Sequence, residues 1–239
     1  MSTAAETHRP AGMTRQAWLA LLVLVPAPSI GVLLAMPDGA GTLGKVIYAA
    51  MKAWILVLPI LWMLSVNGRL AWPAWSWKGT GVGLLWGVGV AAAILAGFFA
   101  FGPQLVDVQQ VRAKAMETGL ADPRLFIPFF VYLCLVNSLL EEYVWRWFVY
   151  GRCRDIMPRA PGWAPVVLSA GLFTIHHAVA LSMQMAWLPA LLGSTGVMVG
   201  GIIWGGLYRR YGRIWPCWIS HVIADVAVAV VAWRLIHGG

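Results

Sequence analysis

Charge is scarce in this chain. Only 11% of its 239 residues are Asp, Glu, Lys or Arg, against about a quarter in an ordinary soluble domain. With 60% hydrophobic residues and a mean hydropathy of +0.75, the apolar excess cannot be hidden in one small water-facing core. A soluble domain is thereby excluded and a multi-pass membrane protein predicted. Acidic residues are rarest, nine against 17 Lys and Arg, for a formal net charge of +8. The basic residues are dispersed through short loops and form no stripe. No RNA-recognition or zinc-finger pattern is present, so nucleic acid is not an expected partner. Cysteine is equally sparse. Cys134, Cys153 and Cys217 lie far apart with no Cys-x-x-Cys pair, which argues against a disulfide framework or a zinc knuckle. Gly-x-Ser-x-Gly is missing, as is His-Glu-x-x-His, and with them two signatures of serine and zinc hydrolases. There is no internal repeat, no low-complexity tract and no second soluble domain. Paired halves with broken helices, a mark of many transporters, are also missing.

What the chain does have is long apolar runs. Seven can be drawn, at about 17–36, 45–66, 80–102, 126–150, 163–184, 186–207 and 215–236, each near the ~20 residues a helix needs to cross hydrocarbon. Open sheets would leave backbone groups unpaired in lipid. The expected fold is therefore all-α, a polytopic transmembrane bundle of about seven helices, with six to eight allowed by the short join at 183–187. Trp72, Trp75, Trp77, Trp163, Trp187 and Trp215 sit near run ends, as an interfacial belt would.

Loop charges set an orientation. Arg9, Arg15, Arg69, Lys78, Arg152, Arg154, Arg159, Arg209, Arg210 and Arg213 fall on one side, and Lys45, Arg112, Lys114, Arg124 and Arg234 on the other. The positive-inside rule then puts the N-terminus in the cytoplasm. The first run reads as a retained signal anchor. The long loop 103–124 suits an amphipathic helix on the outer surface. The chain divides into a polar tail at 1–16, N-terminal membrane helices and an outer loop at 17–124, and a membrane domain at 125–236. The expected location is the bacterial inner (plasma) membrane.

Ionisable residues inside lipid are functional candidates by default, because each is costly to bury. Here they concentrate in the fourth, fifth and seventh runs. Glu142 and Arg146 stand at i and i+4 and can pair on one face. Glu141 points about 100° away with no local partner, as a general base requires. Phe173 and His177 share a face one turn apart, with His176 on the adjacent face. His221 and Asp225 are again at i and i+4, so the carboxylate can orient the imidazole. Counted at about 1.5 Å per residue from the inner ends of their runs, all three groups reach the inner half to the middle of the bilayer. Lys52, alone in the second run, is expected to snorkel or to pair with an acid, without a function.

Glu-Glu-x-x-x-Arg, then Phe-x-x-x-His, then His-x-x-x-Asp, in that order and in apolar context, resembles the CPBP family of CAAX prenyl endopeptidases and bacteriocin-processing enzymes, also called glutamic intramembrane proteases. The resemblance covers about 125–236. It implies that Glu141, with His177, activates a water for attack on a peptide bond, and that His221 helps hold the oxyanion. Glu142, Arg146 and Phe173 would support the site or contact substrate. Asp225 stands where the family often has Asn. An ionised Asp cannot donate to an oxyanion, so Asp225 is either protonated there or serves to orient His221. Two histidines and a glutamate would suit zinc, yet the resemblance implies a metal-free mechanism, with no metal and no cofactor. The implied substrate is a peptide or protein in or at the membrane, and the other partner is the lipid bilayer. Two rival readings use the same charges: a transporter with an intramembrane proton relay, and a non-catalytic scaffold of the same fold.

Overall fold

The computed structural model describes residues 11–35, 41–68 and 76–238. Arg9, Arg69, Trp72, Trp75 and most of the polar tail lie outside the described residues. All the regular structure described is helical: α1 (Ala11–Leu24), α2 (Pro26–Ala35), α3 (Gly41–Asn67), α4 (Thr80–Leu105), α5 (Val108–Thr118), α6 (Pro123–Tyr132), α7 (Ser138–Glu142), α8 (Tyr150–Ile156), α9 (Ala164–Ser182), α10 (Trp187–Tyr211) and α11 (Trp215–His237). Among the described residues, seven stretches are long and apolar enough to span a membrane: Thr14–Ala35, Gly41–Val66, Thr80–Gly102, Pro123–Ile156, Ala164–Ser182, Trp187–Tyr211 and Trp215–His237. They coincide with the seven apolar runs. This is an integral, multi-pass membrane protein.

Two spans are not plain α-helices. The first is broken at Val25, because Pro26 has no N–H to continue the ladder. The indole of Trp54 on α3 donates to the Val23 carbonyl at 3.1 Å beside that break, the kind of side-chain repair that lets proline sit in a membrane helix. The fourth span holds two π-helical turns, Leu133–Asn137 and Tyr143–Val149, on either side of α7. Wide turns of this kind recur at functional sites. Neighbouring helices supply donors to their carbonyls: Trp218 Nε1 to Leu135 O at 3.1 Å and Ser169 Oγ to Trp145 O at 3.1 Å.

Close helix approach depends on small residues, as expected where lipid gives no hydrophobic force between helices. A Cβ on Gly83 of α4 would run into the Pro216 carbonyl of α11, and one on Gly87 would come within 3.0 Å of the Ser220 backbone. On α10, Gly201 and Gly205 play the same part against Ala170 and Val166 of α9. The loop at 103–124 does contain a helix, α5, capped by Asp107, whose side chain accepts from the amides of Gln109 and Gln110. Its Arg112 donates to the carbonyls of Leu235 and Gly238, closing the C-terminal end of α11. Trp77, Trp163 and Trp187 are among the most exposed aromatic side chains and stand at or beside helix starts, as an interfacial belt requires.

The buried cluster gathers Leu21, Leu24 and Ala27 of the first span, Ile55 of α3, Tyr143 through Trp145 with Phe148 and Val149, Phe173, Trp204 and Cys217. The N-terminal helices thus help to build the core that surrounds the fourth span's polar groups.

Candidate active site

Glu141 and Glu142 close the short helix α7, between the two π turns. They face different partners. Glu142 is fully buried and bridges two helices: Oε2 accepts from Arg146 Nε at 3.1 Å, and Oε1 lies 2.9 Å from His221 Nδ1. An ionised carboxylate can only accept, so Nδ1 of His221 carries the proton. Nε2 of His221 then faces Glu141 Oε2 at 3.8 Å and Asp225 Oδ1 at 3.6 Å. The orienting partner of His221 is therefore Glu142, not Asp225. The i,i+4 relation of His221 and Asp225 holds, but Asp225 lies toward the opposite ring nitrogen and is the more open group, with 27% of its side chain exposed.

His177 comes from α9. Its Nδ1 lies 3.2 Å from the Phe173 carbonyl; donation there fixes the tautomer and leaves Nε2 as an acceptor. The Phe173 ring fills the space among these groups, 4.5 Å from the His177 ring and 6.4 Å from His221, centroid to centroid. Trp204 stacks on His221 at 3.9 Å and 18°. The guanidinium of Arg146 lies 4.8 Å from the Phe173 ring centre and 5.6 Å from that of Trp204, a cation–π enclosure that offsets part of the cost of burying it.

Three expectations require correction. Glu141 does have a local partner: Asn137 Nδ2 donates to its Oε1 at 2.8 Å. Lys52 meets an amide rather than an acid: its Nζ donates to Asn137 Oδ1 at 2.8 Å. His176, on the adjacent face, is not set apart from the group. Its ring stacks on Trp145 at 5.2 Å and 7°, and lies 4.0 Å from the ring of His177. Asn137 was legible by the i,i−4 rule already used for Glu142 and Arg146. Lys52 lies 85 positions away and was not.

Glu141, His176 and His177 each offer a ligand atom, all within 4.8 Å of one another. They could hold a metal ion. A tetrahedral zinc with ligands at ~2.1 Å wants them about 3.4 Å apart, so the group would have to contract. A cavity of about 420 Å³ lies elsewhere, lined by Tyr150, Arg154, Met157, Gly162, Pro165 and Arg209 among others. It contains no carboxylate or histidine, hence none of the groups that amide hydrolysis needs.

A carboxylate and two histidines are brought together from three spans in an apolar shell, a grouping of the residue types that hydrolytic chemistry uses. Residues 123–227 match the family model described as type II CAAX prenyl endopeptidase Rce1-like. That stretch runs from α6 into α11 and takes in every motif residue named above; over it the chain is similar to this family of CAAX-protease-type peptidases. No curated protein and no solved structure matches the chain.

Proposed function

We propose that the protein is an intramembrane endopeptidase that hydrolyses a peptide bond of a membrane-associated peptide or protein, using a water activated by Glu141 and His177. The observation that carries this reading is the convergence of the Glu141 carboxyl on His177, within 4.8 Å between donor atoms, and on His221, at 3.8 Å. Gaps of that size between polar atoms are the width a bridging water fills.

The chemistry follows. Glu141 takes a proton from the water, whose oxygen bonds to the scissile carbonyl carbon. His177, held through Nδ1 by the Phe173 carbonyl, accepts from the water at Nε2 and aims its lone pair. The carbonyl oxygen becomes an oxyanion. His221, donating to Glu142 through Nδ1, donates to the oxyanion through Nε2 when doubly protonated. Glu142 at 2.9 Å, Asp225 at 3.6 Å and Glu141 at 3.8 Å balance that charge. The tetrahedral carbon then expels the amine, to which Glu141 returns its proton. An apolar surround strengthens each of these interactions. The positive-inside distribution supports a cytoplasmic N-terminus in a bacterial inner membrane. The family's description supports a substrate with a lipid-anchored C-terminal tail.

The test is cleavage of a quenched-fluorescent prenylated peptide by purified protein in nanodiscs. Glu141→Ala and His177→Ala are expected to lose activity while remaining inserted and monodisperse. Full turnover by either variant overturns the reading, and proton flux without cleavage favours the transporter.

A further inference from the structure

Lys52 is an ammonium in the middle of an apolar span, and burying it there costs several kcal/mol unless it is paired. Among the described residues no carboxylate receives it directly. It donates instead to the amide oxygen of Asn137, and the amide nitrogen of the same residue donates to Glu141 Oε1, both at 2.8 Å. The three groups form a line across two helices: ammonium, amide, carboxylate. Asn137 is the last residue of the first π turn, four positions before Glu141. The Tyr48 ring, one turn before Lys52, lies 5.9 Å from the ammonium.

The amide has one sensible orientation. Flipped, it would set NH₂ against the ammonium and oxygen against the carboxylate, losing both hydrogen bonds and adding two repulsions. Lys52 therefore decides which end of Asn137 faces Glu141. Asn137 in turn occupies Oε1, which leaves Oε2 as the oxygen directed toward His221. A carboxylate with one oxygen tied has lost the freedom to rotate about its last torsion, which is the kind of pre-organisation that outer partners give to reacting groups.

We infer that Lys52 and Asn137 are positioning residues: Lys52 polarises and orients the Asn137 amide, and the amide holds the Glu141 carboxyl with Oε2 turned to the reaction. The inference rests on Glu141 being the base, and the experiment separates the two ideas. Lys52→Met, Lys52→Arg, Asn137→Leu, Asn137→Asp and the double variant Lys52→Met/Asn137→Leu are made in the full chain, beside Glu141→Gln. Each is assayed on the quenched prenylated peptide, and its carboxyl infrared band is read by difference against the matching Glu141→Gln protein. Lys52→Met and Asn137→Leu are each expected to lower kcat by ~10–100-fold, the range for lost outer partners, with KM within about twofold. If Lys52 acts through Asn137, the double variant is no slower than Asn137→Leu alone. Lys52→Arg restores most of the rate. Asn137→Asp keeps an acceptor for Lys52, and so the fold, but loses the amide donor; its rate falls with that of Asn137→Leu. The Glu141 infrared band shifts in Lys52→Met and Asn137→Leu. Wild-type kcat in Lys52→Met, multiplicative losses in the double variant, or an unmoved band overturns the positioning role. If instead Glu141→Gln cleaves at the wild-type rate, Glu141 is not the base, and the band alone then decides whether Lys52 and Asn137 hold Glu141.

Discussion

Glu142 lies 2.9 Å from Nδ1 of His221, across 79 positions of sequence, while its other oxygen accepts from Arg146. One fully buried carboxylate thus ties the fourth span to the seventh and fixes the tautomer of a histidine beside Glu141. The two neighbouring glutamates differ in exposure: Glu142 is enclosed, whereas 13% of the Glu141 side chain is exposed.

The buried Glu142–Arg146 pair gives the first expectation. Removing one partner leaves an uncompensated buried charge, which typically costs about 3–5 kcal/mol. Arg146 would suffer most, because its two terminal nitrogens already lack a hydrogen-bond partner among the described residues. Glu142→Leu and Arg146→Met should each lower the melting temperature in detergent by many degrees. The double variant should recover much of that loss, since hydrophobic replacement of an ion pair is often neutral. It should remain inactive, because His221 has lost its acceptor. Additive losses would show that the pair is not a unit.

Asp225 yields a second. Its oxygen stands 3.6 Å from His221 Nε2, on the side of Glu141. Asn at that position keeps the shape, adds a donor and removes one negative charge from three carboxylates around His221. Asp225→Asn should keep or raise kcat, while Asp225→Ala should lower it by roughly 10–100-fold, the range for a lost outer partner. Equal, complete inactivation by both would assign the carboxylate itself a proton-transfer role.

Metal dependence gives a third. Glu141, His176 and His177 would have to contract to hold zinc, and Glu141 Oε1 is already taken by Asn137. Activity should survive dialysis against a strong chelator, and elemental analysis should find less than one equivalent of transition metal. Loss on chelation with recovery on adding zinc would replace the water-only mechanism.

The glycine contact between α4 and α11 gives a fourth. At Gly87 an added Cβ would meet Ile223 at 2.9 Å and the Ser220 backbone at 3.0 Å. Gly87→Leu should force the two spans apart and cost ~1–3 kcal/mol, the range for overpacking. His221 follows Ser220 directly, so activity should fall with stability. Gly89, with nothing within 4 Å of an added Cβ, is the control and should tolerate Leu.

Much of the architecture was written in composition. The seven spans match the apolar runs to within a few residues at most ends, because a span's length is set by the bilayer and its backbone has no alternative to helix. Glu142 with Arg146 was equally legible, since i,i+4 neighbours meet in any helix. The site's wiring was not. Which nitrogen of His221 meets which acid depends on how α11 is rotated against α7. The two π turns alter that rotation, and periodicity counting assumes an unbroken 3.6. His176 was misread for the same reason: its face could be counted, but not that Trp145 would stand beside it.

The amino-acid sequence alone determined that this chain crosses the membrane in about seven helices and that most of its few charges within them sit in three, because burying charge without purpose is too costly to be scattered. Only the tertiary structure decided that Glu142 serves His221, that Asp225 lies across the ring from it, and that Lys52 reaches Glu141 through Asn137. Those links join residues from 79 to 85 positions apart or reverse an i,i+4 guess, and they are fixed by helix rotation and close packing, which no local pattern encodes.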